Sequence, residues 1–101
     1  MSTSDVHPSQ RFTELLGVRY PIVQGGMTFG SDGRLTAAVS EAGGLGILAT
    51  GVCKPDESRA FIAQTRELTD KPFAANVTLY FPAAKQNAKV LIEEQVPVIN
   101  Y

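Results

Sequence analysis

The feature that most restricts this chain is the way two hydrophobic periods alternate along it. Unbroken apolar runs rich in β-favouring residues, at 20–24, 45–50, 73–79 and 96–101, are separated by stretches whose apolar residues recur every three or four positions. A continuous apolar run suits a strand covered on both faces, and the three-to-four spacing suits a helix with one buried stripe. Such alternation implies a parallel sheet with right-handed crossovers and helices packed against it. Taking Pro21, Leu45, Phe73 and Val98 as markers, the strands recur after 24, 28 and 25 residues, close to the roughly 30 per unit of an eightfold barrel. The expected fold is α/β: a parallel (β/α) TIM-barrel fragment of about the first four β/α units. An open, doubly wound sheet is the competing architecture.

Residues 1–10 read as a polar, flexible leader, and 11–101 as the N-terminal half of the barrel. Phe12, Leu15 and Leu16 predict a short helix stopped by Gly17. Leu35, Ala38, Val39 and Ala42 mark a second helix, with Ser31 or Asp32 as its cap and Gly43 as its end. Pro55, Asp56 and Glu57 open a third, whose inner stripe is Phe61, Ile62, Thr65 and Leu68 before Lys71-Pro72 breaks it. A fourth covers 82–95 with Ala84, Ala88, Leu91 and Ile92 inward. The chain stops inside its fourth predicted strand, which reads as a truncation leaving two open sheet edges.

Composition excludes several classes of function. A net charge of −1 without a crowded basic face does not neutralise a row of phosphates, so nucleic acid is not expected as a partner. No apolar run approaches the ~20 residues needed to cross a bilayer, and the N-terminus is too polar for a secretory signal. No membrane partner is expected, and the expected location is cytoplasmic. Cys53 is the only cysteine and His7 the only histidine, so neither a disulfide nor a cysteine metal cluster can be built within the chain. Cys53 reads as an inert packing residue, and His7 as part of the leader. Lys71, Arg66 and Glu67 read as a solvated helix end.

In parallel β/α folds the reactive groups gather where strands end and helices begin. There this chain carries Gly25-Gly26-Met27-Thr28, then Thr50-Gly51, then Asn76 and Thr78, then Asn100 and Tyr101. No carboxylate lies in those segments, which argues against metal chelation and against a paired-carboxylate hydrolase. A flavin ring suits such a neutral surface, since it needs an apolar slot, a few amide partners and close backbone approach. A sugar phosphate, or simple packing, is also compatible. Gly25-Gly26-Met27 can equally be a tight turn with Met27 filling the core, and Asn76 can bond only its neighbours. Gly44-Leu45-Gly46-Ile47-Leu48-Ala49 matches the letters of the dinucleotide fingerprint, but a helix precedes it and a strand follows, the reverse of what that loop requires.

Three ordered segments carry a stronger signal: Tyr20 to Met27, Ala37 to Gly46 and Glu67 to Asn76. Together they closely resemble the nitronate monooxygenases, formerly 2-nitropropane dioxygenases, with the FMN-dependent enoyl-acyl carrier protein reductases as near relatives. The resemblance implies an FMN-binding β/α barrel, an oxidoreductase that oxidises alkyl nitronates or nitroalkanes with dioxygen. It implies that Gly26 and Met27 offer backbone to the flavin, that Gly25 gives clearance, and that Asn76 hydrogen-bonds the ring. Ala74 stands where many members have glycine. The family's glycine-rich phosphate loops and its histidine belong to the second half of the barrel. This chain is therefore expected to hold no catalytic residue of its own and to be inactive alone. Two other readings stay open: an enoyl reductase, and a non-catalytic half-barrel that forms a homo-oligomer through its edges.

Overall fold

The computed structural model describes residues 6–28 and 30–101. Helix α1 (Pro8–Leu16) starts on a proline whose missing N–H is no loss in a first turn. It ends where Gly17 adopts a left-handed φ of 69°, as its sequence predicts. The helix begins inside the segment expected to be leader, with His7 accepting the Ser9 N–H at its cap, while residues 1–5 of that leader lie outside the described residues. Helix α2 (Gly33–Glu41) is capped by Asp32, whose carboxylate accepts the N–H groups of Arg34 and Leu35 at 3.1 and 3.0 Å. Helix α3 (Pro55–Leu68) opens with the Glu57 carboxylate accepting the Lys54 N–H at 2.9 Å. Helix α4 spans Ala84–Glu93.

Three strands, β1 (Gly46–Ala49), β2 (Phe73–Asn76) and β3 (Val98–Asn100), form one parallel sheet in the order β1-β2-β3. Ala49 pairs with Asn76, and Asn76 with Asn100. The run at 20–24, expected to be the first strand, is corrected to a single parallel bridge between Val23 and Leu45. Pro21 can donate nothing to a ladder. After Gln24 a side chain takes the place of the main chain on Ile47. Helix α2 lies so close to β1 that a Cβ at Gly46 would run into the Thr36 carbonyl, so only glycine fits there.

The two faces of the sheet are packed differently. On the helix-covered face Leu48, Phe73, Ala75 and Val77 meet Ile62 of α3 and Val90 and Leu91 of α4 in the main core. On the opposite face Leu45, Ile47 and Ala74 form a smaller cluster with Leu16, Val18 and Val98. Several expected stripe residues are corrected: Leu68 is 51% exposed and Ile92 is 67% exposed, and in α2 Ala38 and Ala42 are exposed while Gly33, Thr36, Ala37 and Ser40 are buried. In α3 the buried stripe is Ser58, Ile62 and Thr65, which leaves Leu68 in the last turn on the outer side. In α4 the buried stripe is Ala84, Asn87, Val90 and Leu91, which turns Ile92 away from the sheet.

Candidate functional site

Of the four expected site residues, Gly26 is brought against Asn76 at the C-terminal end of β2, and Gly25 and Met27 flank Gly26 in the chain without a contact of their own to Asn76. Successive residues of a strand face opposite sides, so Ala49, Asn76 and Asn100 form one row on the face away from α3 and α4. The Asn76 amide donates from Nδ2 to Asn100 Oδ1 at 2.6 Å, and its Oδ1 accepts the Thr78 hydroxyl at 3.2 Å. Its backbone carbonyl accepts both the Thr50 hydroxyl, at 2.6 Å, and the Thr50 N–H, at 3.3 Å. The strand ends are thus joined by amides and hydroxyls without a charged group.

Gly26 lies directly on this row. A Cβ there would sit 3.3 Å from Asn76 Cβ and 3.7 Å from both Ala49 Cβ and Ile47 Cγ2. At Gly25 a Cβ would meet nothing within 4 Å, so this stretch of backbone borders open space with no side chain in the way. The Met27 side chain is half exposed and does not fill the core.

The backbone of Met27 is arranged differently from the expectation that it is offered to a ligand. Its N–H donates to the Ser31 hydroxyl at 2.7 Å, and its carbonyl accepts the N–H groups of Gly30 and Ser31 at 2.9 and 2.8 Å. Ser31 is 3% exposed and its hydroxyl also accepts Gln24 Nε2 at 2.9 Å. The Gln24 carboxamide donates to the Ile47 carbonyl at 3.2 Å and accepts the Ile47 N–H at 3.1 Å, with a further contact to the Gly25 carbonyl. Neither Gln24 nor Ser31 was expected at the site. The available signal was an amide closing an apolar run immediately before two glycines.

A second polar residue behind the rim also escaped sequence reasoning. Asn87, 1% exposed on α4, donates to the carbonyls of Thr50 and Cys53 at 3.1 and 2.9 Å and accepts the Ser58 hydroxyl at 2.8 Å. Every part of its amide is satisfied, which is what a buried amide requires, and the loop after β1 is fixed to α4 as a result. Cys53, in that loop, is buried. Desolvation first, and the charge of Glu57 second, push its thiol above the ordinary value, which keeps it protonated and unreactive. Among the described residues no group of three or more His, Cys, Asp or Glu is placed to hold a metal, and no helix is long and apolar enough to cross a membrane.

Comparison with known proteins assigns this arrangement to a family. The model of the nitronate monooxygenase family matches residues 9–100. A nitronate monooxygenase of Pseudomonas aeruginosa is 43% identical over 81 residues, 80% of this chain and 23% of that protein. A 5-hydroxy-7a-methyl-1-oxo-octahydro-1H-indene-4-carboxyl-CoA dehydrogenase of Mycobacterium tuberculosis is 39% identical over 89 residues, 88% of this chain and 25% of that protein. Among solved structures, FabK from Thermotoga maritima superposes with a TM-score of 0.86 at 50% identity, over 88% of this chain and 29% of that one. Nitroalkane oxidase from Streptomyces ansochromogenes gives 0.75 at 32% identity, over 88% and 35%. The chain spans about a quarter of the length of the curated relatives it matches. With the family match running over nearly its whole length, the chain belongs to the nitronate monooxygenase family of oxidoreductases.

Proposed function

We propose that this chain supplies one wall of the FMN slot of a cytoplasmic β/α-barrel flavoprotein that oxidises alkyl nitronates with dioxygen. Residues 11–101 would form about the first four β/α units of that barrel, the first contributed by the bridge at Val23. The observation that carries the reading is the contact between Gly26 and Asn76. Two segments 50 residues apart in sequence meet on one rim, and their meeting point is a bare backbone stretch beside a carboxamide. Such a surface fits a planar, largely apolar ring with a polar edge.

The residues present divide the work of binding. Gly25 leaves clearance where a side chain would collide with a ring, Gly26 and Met27 bring main chain alongside it, and Asn76 offers an amide to its polar edge. FMN, when bound, supplies the redox chemistry between nitronate and dioxygen. The chain's own residues orient the ring and exclude water beneath it. Among the described residues none at this rim is placed as a general base, so on this reading proton transfer falls to the rest of the barrel.

The test uses this chain in place of the matching segment of the Thermotoga maritima FabK. The purified protein should be yellow, bind FMN in a fluorescence titration, and consume oxygen when given a nitronate. Colourless protein that quenches no FMN fluorescence would overturn the cofactor assignment. Thioester substrates are the second reading, favoured by the 50% identity to FabK and by the CoA dehydrogenase among the relatives. On that reading an enoyl thioester drives NAD(P)H oxidation and the nitronate does nothing. Self-association through the sheet edges predicts a dimer mass for the isolated chain in size exclusion.

A further inference from the structure

We propose that Gln24 and Ser31 are positioning residues for the flavin wall, and that they make the Gly26 N–H, rather than that of Met27, the donor this loop presents. The inference rests on the flavin reading above and specifies which group meets the ring. Its starting point is the ladder on which the 20–24 run enters the sheet. The Leu45 N–H donates to the Ile22 carbonyl at 2.9 Å, and the Gln24 N–H donates to the Leu45 carbonyl at 3.0 Å. Continued by one step, a parallel ladder would join the Ile47 N–H to the Gln24 carbonyl and the Gly26 N–H to the Ile47 carbonyl.

That step is made by the Gln24 side chain. Its Oε1 accepts the Ile47 N–H and its Nε2 donates to the Ile47 carbonyl, at 3.1 and 3.2 Å. A carboxamide has the same donor and acceptor as a peptide group, so the edge of β1 is satisfied while the main chain leaves the sheet one step early. The Gly26 N–H is thereby released from the sheet at a residue that is exposed and in contact with Asn76. Ser31 completes the arrangement. Its buried hydroxyl accepts both Gln24 Nε2 and the Met27 N–H, and its own N–H holds the Met27 carbonyl. Met27 is thus tied within its turn, and Gly26 is the residue of the pair whose amide is left for a ligand.

The experiment uses the same full-length chimaera with Gln24→Leu, Gln24→Glu, Ser31→Ala and Ser31→Thr, and Arg66→Ala as a destabilised control remote from the rim. Without FMN, amide exchange at Ile47 should quicken at least tenfold in Gln24→Leu and stay unchanged in Ser31→Ala. With FMN, Gln24→Leu, Gln24→Glu and Ser31→Ala should each weaken binding about tenfold and shift the visible bands of the bound flavin. Ser31→Thr should restore both, and Arg66→Ala should bind as the parent does. Parent-like binding and spectra in Gln24→Leu, or in Ser31→Ala should the first variant not fold, overturn the proposal. So does a loss matched by Arg66→Ala, which would reduce the effect to stability. A parent protein that binds no FMN instead defeats the flavin reading itself, and the ligand half of this inference with it.

Discussion

The two ends of the sheet are held by different chemistry. At the N-terminal end, charged groups tie elements together. The Arg66 guanidinium lies over the Phe73 ring at 5.8 Å and donates to the Glu94 carbonyl at the end of α4. Thr69 donates to the Glu41 carboxylate, and Arg59 bridges α3 to Glu93 and Glu94. At the C-terminal end amides and hydroxyls do this in two groups, Gln24 with Ser31, and Thr50, Thr78 and Asn100 around Asn76. An ion pair or a stacked guanidinium has few alternative partners nearby, whereas an amide can exchange one neutral partner for another at little cost. The difference separates an end built to hold from an end built to receive.

Several changes would break that contrast or sharpen it. The largest effect is expected at Gly46→Val, where a side chain would strike the Thr36 carbonyl. It should lower unfolding free energy by about 3 kcal/mol or more in urea titrations of the chimaera, and a smaller loss would mean that α2 can move away. Asn76→Ala should raise the FMN dissociation constant about tenfold, or ~1.4 kcal/mol, and affect stability less than it affects binding. A fall in melting temperature without a change in affinity would place Asn76 with the holding end. Arg66→Ala should do the opposite, costing about 1 kcal/mol of stability through lost stacking and capping with affinity unchanged.

The smallest effect concerns pH. The Leu35 N–H, with Arg34 beside it, holds the Asp32 carboxyl below its ordinary value. A folded-state value below the unfolded one contributes stability that is present above about pH 4 and lost as pH falls through the folded value. Asp32→Asn should therefore be slightly less stable from pH 5 to 8, with the gap closing in acid. A gap that persists to pH 2 would mean the cap works through shape rather than charge.

The elements governed by local rules were legible in the sequence. Pro55 with Glu57 placed the start of α3, Ser31 or Asp32 marked that of α2, where the structure uses Asp32, and Gly17 ended α1, because each acts within four residues of itself. The strand ends were less legible: the run read as a strand over 73–79 stops at Asn76, and the run at 20–24 narrows to one bridge, because an apolar run does not show where its ladder ends. Gln24 and Asn87 were not legible. Each uses a long-range amide to replace or hold main chain, and a polar letter in an apolar pattern does not reveal its partner 23 or 37 residues away. Ile92 misled in the reverse direction, because a satisfied Asn87 occupies the buried stripe that an apolar reading assigns to isoleucine.

The strands lie side by side in the same order as they occur in the chain. During synthesis, each strand therefore leaves the ribosome to find its neighbour already laid down. Phe73 follows Gly46 by 27 residues, which at translation speeds of about 5–20 residues per second is a wait of roughly one to five seconds. A sheet assembled in that order adds each new strand to the same edge, so strand order in space needs no rearrangement after synthesis.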